Sequence, residues 1–210
     1  MSKYRNSEIF KVIELYDKEA GNFANALNYA VCVADDIMDH KEHTNTMITL
    51  CAAMVTCMGI IAKRPDLFEA INKRLGELIN GQAMDLEFLP KSKTNEDELQ
   101  IWKKRGEIIR LMFDLLCHVD KTFETPENRE WIENYTLECG KYNDAKDILE
   151  GKFEDFIQCR RNFVALTCFD QDIYFTWRHR KDDLIKAAKQ VMDEIKFPEP
   201  VDKRLKMAGG

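Results

Sequence analysis

The sequence predicts an all-α protein built as one helical bundle, and three observations lead there. Only 9 Gly and 5 Pro punctuate 210 residues, so long stretches carry no breaker. Apolar residues recur at helical spacing along most of the chain, and no stretch alternates cleanly with the period of two that a half-buried strand needs. Hydrophobic residues make up 45% and charged residues 32%, enough for a core and a solvated surface.

Each element follows from local pattern. Ile9, Phe10, Val12, Ile13 and Leu15 share one face of a helix over 7–19. Phe23, Ala26, Leu27, Ala30, Val31 and Ala34 do the same over Asn22 to Asp39. Thr44 or Asn45 caps a third helix that runs to about Lys63, where Pro65 punctuates it. A fourth carries Leu67, Ile71, Leu75, Leu78 and Ile79 toward Phe88. After a polar loop from Pro90, a fifth runs from about Asn95 to Val119. Thr125-Pro126 opens a sixth, with Pro at the first helical position, and further helix is expected near 142–150, 162–176 and 181–196. Residues 1–196 thus read as one domain and 197–210, rich in Pro, Lys and Gly, as a mobile tail.

Composition excludes some functions. The net charge of −6 argues against a nucleic-acid backbone as partner. It leaves room for an anionic substrate, because bound Mg²⁺ reverses the local field. The seven Cys are odd in number and form no C-x-x-C, so they read as small core hydrophobes in a reducing compartment. The polar N-terminus lacks a signal-peptide core. The uncharged run Met47 to Ala62 falls short of the ~20 residues a membrane span needs, which predicts a buried central helix. The expectation is a soluble, cytoplasmic protein with no stable membrane insertion.

Two acidic clusters carry the chemistry. Ala30-Val31-Cys32-Val33-Ala34 runs into Asp35-Asp36-Ile37-Met38-Asp39. On a helix Asp35 and Asp39 are one turn apart on one face, where like charges repel. A divalent cation between them removes that penalty, and carboxylate oxygens are the ligands Mg²⁺ prefers. A solvated helix end beside His40 and Lys41 accounts for the same residues. Asn143-Asp144-Ala145-Lys146-Asp147 repeats the spacing, with Asn143 and Asp147 one turn apart and both able to offer oxygen. There Lys146 and Glu150 also suit an ordinary charged surface. Two such pairs facing each other would hold several Mg²⁺ ions and grip a diphosphate as it leaves, above an apolar pocket that excludes water.

In this order the segments resemble the trans-isoprenyl diphosphate synthase (polyprenyl synthetase) family of the class I isoprenoid and terpene synthase superfamily. Asp35 to Asp39 resembles the first DDxxD motif, and Gly81-Gln82-Ala83-Met84-Asp85 the GQxxD segment. Ile101-Trp102-Lys103-Lys104-Arg105-Gly106 resembles I-x-x-K-T-G, with Lys104 at the lysine. Asn143 to Asp147 resembles the second aspartate motif in an Asn-Asp form. Asp155-Phe156-Ile157-Gln158-Cys159-Arg160-Arg161-Asn162-Phe163 stands where members carry D-L-x-x-G-K-x-T-L, with Arg160 at the lysine.

The resemblance implies a helical bundle around a central apolar cavity, and Mg²⁺-dependent ionisation of an allylic prenyl diphosphate for prenyl transfer in chain elongation. It implies three Mg²⁺ ions: two on Asp35 and Asp39, a third on Asn143 and Asp147, with Asp36 and Asp144 in support. Lys104 and Arg160 would bind the diphosphate, Gln82 and Asp85 would line the cavity, and the chain would form a homodimer. Residues just before the first motif usually set chain length, and Ala30 and Val31 are small, which implies a C15 or longer chain. The sequence departs from the family where His40-Lys41-Glu42-His43 replaces an arginine pair, where Gly140 replaces a Gln, and in lacking a Gly-Gly-Lys-Arg segment. Those cations serve isopentenyl diphosphate, so ionisation is better supported than condensation with it. A terpene cyclase of the same fold, a non-catalytic subunit of a heteromeric prenyltransferase, and another all-α Mg²⁺ enzyme such as a nucleotide pyrophosphohydrolase stay open.

Two weaker features complete the inventory. Asp36 with His40, and Asp39 with His43, are also helix pairs that suit zinc or iron, but the chain has only two further His and no Glu-x-x-His. Lys203, Arg204 and Lys206 could fold over a bound diphosphate or stay solvated.

Overall fold

The computed structural model describes residues 7–38 and 46–206. Among them the regular elements are all helices. In chain order these are α1 (Ser7–Tyr16), α2 (Lys18–Met38), α3 (Thr46–Ile61), α4 (Pro65–Leu86), α5 (Asn95–Trp102), α6 (Glu107–Val119), α7 (Pro126–Leu149), α8 (Glu154–Ile157), α9 (Phe163–Cys168), α10 (Ile173–Thr176), α11 (Lys181–Glu194) and α12 (Lys203–Lys206). No helix of the described residues is long and apolar enough to cross a membrane. The chain divides into two compact units: 7–38, 46–76, 108–132 and 199–206 in the first, 77–107 and 133–198 in the second.

In the first unit, the helix expected over 7–19 breaks at Asp17. Its carboxylate accepts from the Ala20 amide at 3.0 Å, so Asp17 caps α2 rather than continuing α1. The Arg64 guanidinium holds the other oxygen at 2.9 Å. The most buried helix is α6, where Leu111, Met112, Phe113, Leu115 and Leu116 are all inaccessible. On this helix the partly buried Asp114 is matched by Arg74 and Arg129.

The uncharged helix α3 is not the buried centre that its composition suggests. It packs on α2, and Ala53 and Cys57 are buried, while Met47, Ile48, Met54, Val55 and Met58 are exposed. A helix without a charged face does not say which side a neighbour covers. Residues expected in a mobile tail are docked as well. Leu205 is buried, and Arg204 stacks on Phe123 at 3.9 Å while it bonds to Asp202 and Thr122.

In the second unit, Thr94 and Asp97 form a reciprocal cap on α5. The helix expected over 95–119 is split by a turn at 103–106, because Gly106 lies at φ 81°, a left-handed conformation that glycine adopts freely. The core is aromatic: Phe153 stacks on Trp177, and Phe156 and Phe88 pack on Tyr174. Against this cluster α11 sets Leu184, Ala187, Ala188 and Val191, the inner stripe of an amphipathic helix.

Candidate functional site

Asp35 and Asp36 fall in the last turn of α2, in the first unit, and their side chains lie outside the described residues. Asp39 lies outside them entirely, as do His40 and His43. Gln82 and Asp85 fall near the end of α4, in the second unit, again with side chains outside the described residues. The other sequence-nominated residues, Lys104, Asn143, Asp144, Asp147 and Arg160, are described and all belong to the second unit.

On α7 the second motif splits between two faces, as a helix requires of adjacent positions. Asn143 and Asp147 are exposed one turn apart, and Lys152 sits 3.4 Å from the Asp147 carboxylate. Asp144 turns inward and is 5% exposed. Its Oδ2 accepts from the Trp102 indole N–H at 2.8 Å and from the Phe163 amide at 2.6 Å. Its Oδ1 faces Arg105 at 3.5 Å. Asp144 is thus a fold-holding carboxylate, satisfied by donors from two other segments. Gly140, one turn before it, is small for a physical reason: a Cβ there would stand 3.0 Å from the Trp102 ring.

Four of the five resembling segments are bonded to one another here. Arg105 donates to the Arg161 carbonyl at 2.8 Å. Arg161 donates to the Met84 carbonyl at 2.7 Å and pairs with buried Glu98 at 2.7 Å. Asp144 ties 143–147 to both Trp102 and Phe163. Within 155–163, Asn162 donates to Asp155 at 2.8 Å, and its Oδ1 caps α9 by accepting from Val164 and Ala165. The Asn162 amide donates to the Tyr174 hydroxyl at 3.0 Å, and burial pushes that phenol well above its usual range. Cys159 adopts φ 49°, a left-handed backbone rare for a non-glycine residue. Lys104 is exposed in the turn after α5, and Arg160 is buried.

Trp102, Arg105, Glu98 and Arg161 are the residues that sequence inspection misses. Glu98 and Arg161 are both charged yet 1% and 4% exposed, and nothing local distinguishes them from solvated charges. Only the apolar run Phe163 to Leu166 directly after Arg160-Arg161 hints that an arginine there must find a buried partner.

Among the described residues no group of three or more His, Cys, Asp or Glu is placed to hold a metal ion. The outward oxygens of Asn143 and Asp147 make a two-ligand set, which suits an ion that completes its shell with water and phosphate. A cleft of about 470 Å³ in the second unit is lined by Asn95, Thr167, Cys168, Asp170, Arg180 and neighbours, and includes none of the nominated residues. Arg204, considered above for a bound diphosphate, is engaged by Asp202. No protein-family model, curated protein or solved structure matches the chain.

Proposed function

We propose that the chain is a class I isoprenoid synthase-like protein that binds an allylic prenyl diphosphate with Mg²⁺ and promotes its ionisation. The observation that carries this is the bonded cluster in the second unit, where segments 81–85, 101–106, 143–147 and 155–163 meet through Met84, Arg105, Asp144 and Arg161. The backbone adds support. The positions that correspond to Gly in the family's K-T-G and D-L-x-x-G-K segments are Gly106 and Cys159, and both are left-handed.

Asn143 and Asp147 would hold one Mg²⁺, and Asp35 with Asp39 two more, with Asp36 beside them. Bound ions neutralise charge on a departing diphosphate. Lys104 would give its ammonium to the diphosphate, Arg160 would add charge from within the fold, and Gln82 and Asp85 would line the hydrocarbon's side. Asp144 contributes by fixing α7 against Trp102 and Phe163, so that Asn143 and Asp147 keep their outward aim. Prenyl transfer to isopentenyl diphosphate is the first choice of outcome and cyclisation the second.

One observation favours a non-catalytic subunit instead. The second motif has a single outward carboxylate, and that one already has a lysine nearby. The test incubates the pure chain and Mg²⁺ with geranyl, farnesyl or geranylgeranyl diphosphate, with and without isopentenyl diphosphate. Pyrophosphate release is expected, and should fall roughly tenfold or more in Asp147→Ala, one order of magnitude being 1.36 kcal/mol of barrier. Release only with isopentenyl diphosphate indicates elongation; release without it indicates cyclisation or another acceptor. No release in any mixture ends the enzyme proposal and leaves the subunit.

A further inference from the structure

After α11 the chain carries two anchors joined by a stretch that builds no regular structure. Between Glu194 at the end of α11 and Lys203 at the start of α12 there is no helix. Pro198 and Pro200 fix φ and remove two backbone donors, which keeps this strap extended. The first anchor is Phe197, in the second unit. Its ring centroid stands 5.8 Å from that of Tyr135 and 6.0 Å from that of Tyr142, both on α7. Beside it the Lys196 amide donates to the Glu138 carboxylate at 3.1 Å. Tyr135, Cys139 and Tyr142 are successive turns of one helix face, so a ring that meets both tyrosines spans the cysteine between them. Cys139 is 9% exposed. The second anchor is α12, in the first unit. There Arg204 stacks on Phe123, donates to the Thr122 hydroxyl at 2.8 Å and faces Asp120 at 3.5 Å, and Leu205 is buried.

We infer that residues 196–206 are a clasp that opens as one piece while the rest of the chain stays folded, and that it gates the Tyr135, Cys139 and Tyr142 stripe of α7. Backbone entropy opposes docking at every residue the clasp orders. Against that entropy stand side chains: one aromatic ring, one guanidinium and one buried leucine. The Arg204 side chain is 38% exposed, so water screens its ion pairs with Asp120 and Asp202. A segment anchored in this way lies at the low end of local stability and opens before a closely packed core does. The cores beneath are of the other kind: α6 sets five inaccessible side chains in a row of six, and α11 buries a full stripe. The two prolines make the link semi-rigid, and Phe197 and Arg204 are only seven residues apart. Loosening either anchor therefore weakens the other. The prolines also leave the open strap less freedom to lose when it closes again. Cys139 becomes a thiol that a reagent reaches only in the open state. None of this depends on the isoprenoid proposal.

The test alkylates the full chain with iodoacetamide and follows each cysteine by peptide mass spectrometry. Exposed Cys168 marks the uncovered rate, and Cys117, buried on α6, marks global unfolding. In the wild type Cys139 should react more slowly than Cys168 and faster than Cys117. Phe197→Ala and Arg204→Gln should each speed Cys139 about tenfold, the scale of one lost ring contact or cation–π stack. Cys117 should keep its wild-type rate in both. Lys203→Ala, exposed on α12, should alter neither rate. Should Phe197→Ala fail to fold by circular dichroism, Arg204→Gln decides alone. A Cys139 rate that Arg204→Gln leaves unchanged overturns the proposal, because the two anchors then act independently. So does a joint rise of Cys139 and Cys117, which is global unfolding. A wild-type Cys139 as fast as Cys168 has no cover, one as slow as Cys117 has no local opening, and either result also ends the proposal.

Discussion

At Asp144 a carboxylate sits among the Trp102 indole, the Phe163 amide and the Arg105 guanidinium. Removing it leaves a buried indole N–H and a partly buried amide with no acceptor, and such orphaned groups are expensive in a low dielectric. Asp144→Ala is therefore expected to lose about 3 kcal/mol of stability. Asp147→Ala, one turn along and half exposed, should change stability by no more than about 0.5 kcal/mol. Urea unfolding of the two variants checks this, and equal losses would contradict the division of labour on α7. Under the proposed function, Asp147 and Asn143 are the residues whose substitution should instead lower Mg²⁺-dependent pyrophosphate release. The same carboxylate type in the same five-residue segment is thus buried and bonded at 144 and open to solvent at 147.

Turns decide the elements of the second unit. Gly106 separates α5 from α6 at φ 81°, and a Cβ there would overlap the Thr136 methyl on α7. Gly106→Ala adds backbone strain to that clash and should cost about 2–3 kcal/mol. Cys159, at φ 49°, carries a side chain where glycine would be relaxed. Cys159→Gly should raise stability by about 0.5–1 kcal/mol, since relief of left-handed strain outweighs the entropy lost by glycine. Thermal or urea unfolding reads both, with opposite signs expected. The mutual cap of Thr94 and Asp97, and Pro126 at the start of α7, are the element boundaries that local chemistry announces in advance.

For the molecule as a whole, acid stability of the first unit should be governed by ion pairs between its helices. Asp66 accepts first from Arg64 and then from His118, and these hold its carboxyl well below the usual range. Burial pushes the Asp17 carboxyl up, but the Ala20 amide and Arg64 outweigh it and the net direction is down. A carboxyl depressed on folding stabilises above its unfolded pKa, about 3.9, and that contribution is lost as pH falls through the folded value. The melting temperature should therefore be insensitive to these groups at neutral pH and decline below about pH 4. Asp66→Asn should make that decline shallower, and an unchanged slope would count against the pair. The sequence by itself determined the all-helical class, most helix boundaries and the break at Pro65. Those follow from φ preferences, caps and the 3.6-residue repeat, which act within a few residues. Only the tertiary structure decided that Asp144 turns inward while Asp147 turns out, that α6 is buried and α3 is half bare, that 199–206 docks, and that Arg161 reaches Glu98 and Met84. Periodicity states which residues share a face, but which face is covered depends on what distant parts of the chain bring to it.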